Sequence, residues 1–449
     1  MSRLAEKYAG RAVPRYTSYP TAPHFNDTVD AADYTHWLAS LDRDEPVSLY
    51  LHVPFCRELC WYCGCNMKLA KRDEPIAQYA AMLRREIVLL AQHLPGRMRV
   101  SHIHWGGGTP TAMAPGDLMR TMQTVRDHFD LVTDAELAIE SDPRTLTREM
   151  ADMIGRLGFT RASFGVQEFD PQVQLAINRV QPPDMVARSV DGLRAVGVDA
   201  INFDLIYGLP FQTTEKLLET VRLSVEMRPD RIALFGYAHV PWAAKKQRLI
   251  DETALPGASE RLEQAQEAAR ALVDAGYVAI GLDHFARPGD EMVRAAAKGS
   301  LRRNFQGYTT DRADSLLGLG ATSIGKTAGG FCQNIAETGA WSRSVEAGRL
   351  PVGRGYAFKN DDRLRAEVIE QLMCQHHVDL DLAAQRHGAP KHWYFDALPS
   401  LAEFDDDGLI TMDAGRMRVT QRGEQYIRVI ASAFDSYLTH NQTRHAVAV

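Results

Sequence analysis

The sequence predicts an α/β fold, a partial (β/α)6 barrel with a mostly helical, winged-helix-like domain behind it, and three observations lead there. Short β-branched or aromatic runs alternate with helical patterns of 12 to 20 residues from position 48 onward. The alternation stops after six strands, at 48–53, 100–105, 135–140, 160–166, 200–206 and 231–238. Each of those strands runs, at the same end, into a polar, aromatic or glycine-rich segment. Strands that alternate with helices pair in parallel through right-handed crossovers. A complete barrel would need two more units, yet the pattern turns irregular after a helix at 258–275.

The elements follow in order. Between the first two strands Ile76, Tyr79, Leu83, Ile87 and Leu90 recur at spacings of three and four, which lays one apolar stripe along a helix, and Pro75 opens it. Helical patterns at 115–129, 147–157, 182–196 and 213–227 fill the later gaps. After about residue 355 the periodicity changes, with helices near 361–376, 379–387 and 391–403. Gly408–Met412, a turn at Asp413-Ala414-Gly415 and Met417–Thr420 then read as a β-hairpin before a last helix at 422–438. The expected division is 1–45 as a segment closing over a substrate site, 46–290 as the barrel, 291–355 as a connecting extension and 356–449 as the C-terminal domain.

Composition bounds the function. A chain of 449 residues exceeds the size of one core, and its 45% hydrophobic content fits a globular protein. No stretch reaches the 18 apolar residues that would span a bilayer; Met1–Lys7 reads as polar helix rather than a secretory leader. A reducing cytoplasm is the expected compartment. Net charge is −6, with 51 basic residues spread among 57 acidic ones, so nucleic acid is not expected as a partner. The acidic run Glu403, Asp405, Asp406, Asp407 ahead of the hairpin argues the same way, since it would repel phosphate.

Four cysteines, Cys56, Cys60, Cys63 and Cys65, crowd into ten residues directly after the first strand. Cys-x3-Cys-x2-Cys in one loop suits thiolate ligation of an iron-sulfur cluster that keeps one iron open for an outside molecule. A structural zinc site is the other metal reading, although zinc ligands usually come as two separated pairs. A disulfide framework is disfavoured, because only Cys332 and Cys374 remain and both read as ordinary buried thiols.

In parallel sheets ligands gather at the carboxyl ends of strands. There the first strand meets the cysteine loop and the second Gly106-Gly107-Gly108-Thr109-Pro110; the third ends at Glu140, the fourth near Gln167, the fifth carries Asp204 and the sixth ends at Tyr237-Ala238. The glycine run has neither phosphate-loop nor dinucleotide spacing. It is expected to let a ligand lie against the chain with free N–H donors, or else to be a plain turn. Glu140 and Asp204 either cap the next helix or accept bonds from an ammonium or ribose hydroxyls. Gln167 reads as a ligand group or a satisfied core amide, and Arg179 as a ligand group or a surface ion pair.

Taken together, Tyr50-Leu51-His52-Val53-Pro54-Phe55-Cys56 through Cys65-Asn66 resembles the radical S-adenosylmethionine (SAM) enzymes. The strings Arg15–Thr21, His104–Thr111, Asp204–Pro210, Asp283–Pro288 and Arg303–Thr310 narrow the resemblance, over nearly the whole chain, to the oxygen-independent coproporphyrinogen III oxidases. The resemblance implies a [4Fe-4S] cluster on Cys56, Cys60 and Cys63, with Cys65 required but not a ligand. It implies two SAM molecules: one met by Tyr50, Gly107, Glu140 and Ile324, a second by Tyr62, Gly108, Thr109, Gln167, Arg179, Asp204 and Ala238. Position 62 is Tyr where the resemblance also allows Phe, and either keeps an aromatic face.

The implied reaction is oxidative decarboxylation of two propionates of coproporphyrinogen III to vinyl groups, started by an electron from the cluster to SAM. The implied partners are that porphyrinogen and a flavodoxin- or ferredoxin-like reductant, with the chain acting as a monomer. A substrate with four carboxylates on an apolar macrocycle calls for arginine forks and aromatic walls. Arg15, Arg287, Arg302 and Arg303 are the candidates, with Tyr16, Tyr19 and Phe25 as aromatics of a water-excluding lid.

Overall fold

A computed structural model describes residues 4, 7, 8, 10–391 and 393–438. The chain forms two compact units, Phe25–Glu260 with Ala313–Ala357, and Met1–His24 with Arg261–Arg312 and Phe358–Val449.

The first unit holds the parallel sheet. Its strands are β1 (Val47–Val53), β4 (Arg99–Gly107), β5 (Asp130–Ser141), β6 (Arg161–Gln167), β7 (Ala200–Tyr207) and β8 (Arg231–Gly236), after the two-residue pieces β2 (Phe55–Cys56) and β3 (Lys68–Leu69). The six expected strands are therefore all present. They pair in parallel in chain order, with Leu49 opposite Ile103, Ile103 opposite Leu137, Ile139 opposite Ala162, Phe164 opposite Phe203 and Phe203 opposite Ile232. These residues are all buried, as expected of strands covered on both faces.

The helices are α1 (Ala31–Ala39), α2 (Glu74–Gln92), α3 (Pro115–His128), α4 (Arg148–Arg156), α5 (Pro171–Ala176), α6 (Pro183–Arg194) and α7 (Thr214–Glu226). Each start has a local cause. Pro75 lies in the first turn of α2, the Thr147 and Thr213 side chains accept from Met150 N and Lys216 N, and Asp30 closes a capping box on α1. The stripe Ile76, Tyr79, Leu83, Ile87, Leu90 on α2 is fully buried, and each aliphatic member contributes about 1.5–3 kcal/mol by leaving water.

The segment read as an irregular extension supplies more of the sheet. Ser315–Leu319 pairs in parallel with the free edge of β1, and Ile324–Lys326, Gly330–Asn334 and Val352–Ala357 continue antiparallel from it. Its short, glycine-rich strands carry little periodic signal.

The second unit is mainly helical. Tyr8, Val13, Tyr16 and Tyr19 share one core with Val368, Leu372, Phe404, Ile427 and Phe434. Helices Asp362–Gln375, Leu380–Arg386 and Leu398–Asp406 precede the hairpin Ile410–Asp413 with Arg416–Val419. The hairpin turn holds Ala414 and Gly415 at positive φ, and a third strand, His377–Asp379, joins it. The last helix is shorter than 422–438: one α segment, Ile427–Ala431, lies between two tighter turns. The helical reading of Met1–Lys7 falls mostly outside the described residues.

Candidate active site

Every feature of this site lies in the first unit, at the carboxyl ends of its strands. β1 ends at Val53, and the loop that follows is closed by β2 pairing with β3, Phe55 opposite Lys68 and Cys56 opposite Leu69. Neighbouring elements grip the loop by its carbonyls: Asn178 Nδ2 donates to Leu59 O (2.7 Å), Gln247 Nε2 to Tyr62 O (2.7 Å) and Lys246 Nζ to Cys65 O (3.2 Å). Arg57 ties its near end to Ala70 O (3.2 Å) and Ala112 O (3.0 Å).

The cysteines are free thiols in different surroundings: Cys60 is buried, Cys56 and Cys63 half-buried, Cys65 exposed. Cys60 Sγ accepts from Arg144 Nη2 and Arg179 Nη1, both at 3.4 Å, and Cys63 Sγ from the Cys65 amide at 3.4 Å. Burial pushes the Cys56 thiol up to about 11, whereas the Cys65 thiol and the Lys246 ammonium draw Cys63 down to about 6. Cys60 and Cys63, ringed by N–H donors and cations, are suited to carry negative charge, and with Cys56 beside the Thr109 hydroxyl the loop fits a thiolate-held cluster. Among the described residues, no three His, Cys, Asp or Glu side chains gather closely enough to hold a single metal ion. A cluster needs a wider spread, one thiolate to each iron.

The glycine run departs from expectation. Its amides are already used: Gly107 N donates to Glu140 Oε2 (3.2 Å), Gly108 N to Val53 O (2.9 Å) and Thr109 N to Phe55 O (2.8 Å). What the glycines supply is room. A Cβ on Gly107, whose φ is +117°, would lie 2.7 Å from the His52 ring, and one on Gly108 would lie 2.6 Å from Phe55 O.

Tyr50 donates to or accepts from His52 Nδ1 at 3.0 Å and stacks on His104, whose Nε2 is 3.1 Å from Glu140 Oε1. Glu140 therefore braces the rim and caps no helix. Asp204 caps none either, since Thr213 performs that task for α7. Burial pushes the Asp204 carboxyl up to about 7, the Glu140 charge adding to the rise and Arg179 and His104 opposing it. Gln167, at φ 66°, is buried with Oε1 lacking a hydrogen-bond partner among the described residues, which does not fit a satisfied core amide. Arg179 is no surface ion pair: it is 7% exposed and donates twice to Gly165 O. Ala238 lies past the end of β8, its carbonyl accepting from Gln247, and Ile324 starts the first antiparallel strand of the extension.

Asp142 and Arg144 escaped the sequence reading, which stopped at the strand end, Glu140. Both sit two to four residues farther along the same rim, in Ser141-Asp142-Pro143-Arg144, and their buried ion pair (2.6 Å) faces Cys60.

The comparisons bear on the same residues. A family model described as the radical SAM superfamily matches residues 50–224, and one described as the HemN C-terminal domain matches 358–425. A relative from Bradyrhizobium diazoefficiens named oxygen-independent coproporphyrinogen III oxidase is 48% identical, covering 99% of both chains. The chain belongs to this family. A further member, from Paracoccus denitrificans, is 43% identical over 95% of this chain and 94% of its own. The solved Escherichia coli coproporphyrinogen III oxidase (HemN), described as a radical SAM enzyme, matches with a TM-score of 0.91 at 37% identity, covering 95% of this chain and 100% of that one. As a radical SAM oxidase, the chain uses a [4Fe-4S] cluster and SAM.

The candidate carboxylate-binding residues of this oxidase lie in the second unit. Arg302 pairs with Glu370 (3.1 Å), Arg287 is half-buried and Arg15 exposed. Arg303 lies over the Tyr308 ring at 4.5 Å, with Nε and Nη1 buried and lacking hydrogen-bond partners among the described residues. Tyr16 and Tyr19 bond to Asp435 and Ser436, and Phe25 stacks on Phe331 within the first unit, so all three sit in packed cores. No described helix is long and apolar enough to cross a membrane.

Proposed function

We propose that this chain decarboxylates two propionates of coproporphyrinogen III oxidatively to vinyl groups, giving protoporphyrinogen IX without oxygen. The observation that carries this is one rim on which a gripped Cys-x3-Cys-x2-Cys loop meets Glu140, Gln167, Arg179 and Asp204, in a chain whose full-length relatives bear that activity's name.

In this reading Cys56, Cys60 and Cys63 hold the cluster, and Cys65 stays outside the ligand set. The bound cofactors supply a one-electron reduction that yields a carbon radical able to take a propionate hydrogen. The chain holds, aims and shields. Tyr50, Gly107, Glu140 and Ile324 would hold the first SAM, Glu140 as an acceptor already aimed by His104. Tyr62, Gly108, Thr109, Gln167, Arg179, Asp204 and Ala238 form the second SAM site. There Gln167 Oε1, which has no hydrogen-bond partner among the described residues, and the Asp204 carboxyl are acceptors for an ammonium or ribose hydroxyls. Arg303, with Arg15, Arg287, Arg302 and Tyr19, receives substrate carboxylates, and residues 1–45 help exclude water. The electron comes from a flavodoxin- or ferredoxin-like donor, and the chain works in the cytoplasm as a monomer.

The test is anaerobic incubation of the reconstituted protein with coproporphyrinogen III, SAM and a reductant. Expected are monovinyl and then divinyl products, with 5′-deoxyadenosine and methionine formed alongside. Deoxyadenosine released with no vinyl product would reject this substrate while leaving the radical chemistry standing.

A further inference from the structure

The three proposed ligand sulfurs are unequally supported. Cys56 Sγ has a hydroxyl, Thr109 Oγ1, at 3.6 Å, and Cys63 Sγ has a backbone amide and the charge of Lys246. Among the described residues only Cys60 Sγ receives two guanidinium groups. Those arginines are 6% and 8% exposed in their side chains, and between them lies Asp142, also 8% exposed. Asp142 takes Arg144 in a fork, Nε to Oδ1 at 3.0 Å and Nη2 to Oδ2 at 2.6 Å, and Arg179 at 3.5 Å. Burial opposes its charge, but Arg179 and Arg144 outweigh that and hold the carboxyl down to about 2, so it is ionised. On its outer side Arg144 reaches Glu58 Oε2 at 2.7 Å. A structural staple from Glu58 to Asp142 would not require Nη2 to meet a sulfur as well.

We propose that Arg144, aimed by Asp142, is a positioning residue that places positive charge and an N–H donor on Cys60 Sγ and so raises the reduction potential of the iron centre this sulfur holds. This rests on the reading that Cys60 is an iron ligand. Reduction by an external low-potential donor of the flavodoxin or ferredoxin class adds one negative charge to the centre. Donors and cations at a ligand sulfur stabilise that charge more than the oxidised state, and a buried cation acts with little screening by salt. Arg179 contributes from the other side, but it also belongs to the proposed second SAM site. Arg144 does not, and it isolates the effect.

The sign distinguishes tuning from packing. Without the Arg144 charge the potential falls. Without the Asp142 charge, the two cations facing the sulfur lose their buried counter-charge, Arg144 keeping only the exposed Glu58, and the potential rises. Simple disruption would move both variants the same way, through loss of iron.

The experiment is anaerobic reconstitution of the full chain and of Arg144→Met, Arg144→Lys, Asp142→Asn and Glu58→Gln. Iron and labile sulfide are counted per chain, and the reduced signal is then followed by electron paramagnetic resonance in a mediated redox titration. At a fixed solution potential Arg144→Met should show a roughly tenfold smaller reduced-to-oxidised ratio, about 59 mV for a one-electron couple. Arg144→Lys should recover most of that, Asp142→Asn should shift the opposite way, and Glu58→Gln, which changes an exposed partner, should shift weakly in the Asp142→Asn direction. Unchanged potentials at full iron content, or shifts of one sign in Arg144→Met and Asp142→Asn, would overturn the proposal. Should either of those two lose iron, the Lys and Glu58→Gln shifts decide it by their sign. Cys60→Ser that keeps all its iron overturns the ligand assignment beneath it, and that outcome is visible before any potential is measured.

Discussion

The polar groups of the strand-end rim and those around Arg303 are built on opposite terms. On the rim most donors and acceptors are committed within the protein: Glu140 to His104 and Gly107, Arg179 to Gly165 and Cys60, Gly108 to Val53. Around Arg303 the ring of Tyr308 supports the guanidinium from below, and Nη2 reaches Arg15 O, while two buried N–H groups stay unmet among the described residues. The difference follows from what each place must do. Bond cleavage depends on position to a fraction of an ångström, which pre-set hydrogen bonds provide. Holding a carboxylate asks for unspent donors that it can satisfy on arrival.

The largest expected effect lies on the committed side. Cys60→Ser should abolish both bound iron and vinyl formation, because it replaces a proposed thiolate ligand, and the negative charge that two buried guanidiniums would face, with a neutral hydroxyl. Undiminished product from that variant would break the comparison at its root. On the uncommitted side, Arg303→Ala should raise KM for coproporphyrinogen III by roughly ten- to a hundredfold, the worth of one charge-assisted hydrogen bond of about 1.5–3 kcal/mol. SAM cleavage should survive. Arg302→Ala, whose side chain is already paired with Glu370, should cost less; equal losses in the two variants would show that the unmet N–H groups carry no special weight.

How much of this was legible beforehand divides along the same physical lines. The six parallel strands were readable because both faces are buried, and apolar runs such as Ser48–Val53 record that directly. The cysteine loop was readable because one sulfur chemistry demands that spacing. Ser315–Leu319 was not: Leu-Leu-Gly-Leu among glycines gives no period, and only the free edge of β1 makes it a strand. Asp142 and Arg144 were hidden for another reason. Asp-Pro-Arg has the composition of a turn, and only the approach of Cys60, far back in sequence, turns its charges into a feature of the site. The glycine run was misjudged because a sequence shows the missing side chains and not the neighbours, here His52 and the Phe55 backbone, that need the space.

That neighbour-driven reading gives the next prediction in size. Gly108→Ala would set a methyl group against the Phe55 backbone, which cannot swing away as a side chain could. Overpacking of this kind costs about 1–3 kcal/mol. The strain falls on the strand leading to Cys56, so a lower urea midpoint should come with weaker iron retention. Gly158→Ala is the control: its added Cβ meets nothing within 4 Å, though its positive φ brings backbone strain of its own. It should lower stability without loosening iron, and iron loss in both variants would remove the link between Gly108 and the loop.

The smallest effect concerns a committed group outside the cysteine loop. Glu86 on α2 is fully buried and accepts from Gly320 N (2.7 Å), Asn334 Nδ2 (2.5 Å) and Trp341 Nε1 (3.1 Å), which ties the extension bearing Ile324 to the helix. Burial lifts its carboxyl to about 8 despite those three donors. The folded state therefore holds a proton that the unfolded chain, with an ordinary value near 4.5, has released. Between those values folding binds more protons than unfolding. The stability Glu86 contributes is thus complete below about pH 4.5 and fades as pH rises through 8, with a slope of up to about 1.4 kcal/mol per unit. Glu86→Gln has no proton to lose. Urea midpoints measured from pH 5 to pH 8 should fall more steeply for the natural chain than for the variant. Parallel curves would show that Glu86 is already ionised inside the protein, and that its three donors, rather than its burial, set its charge.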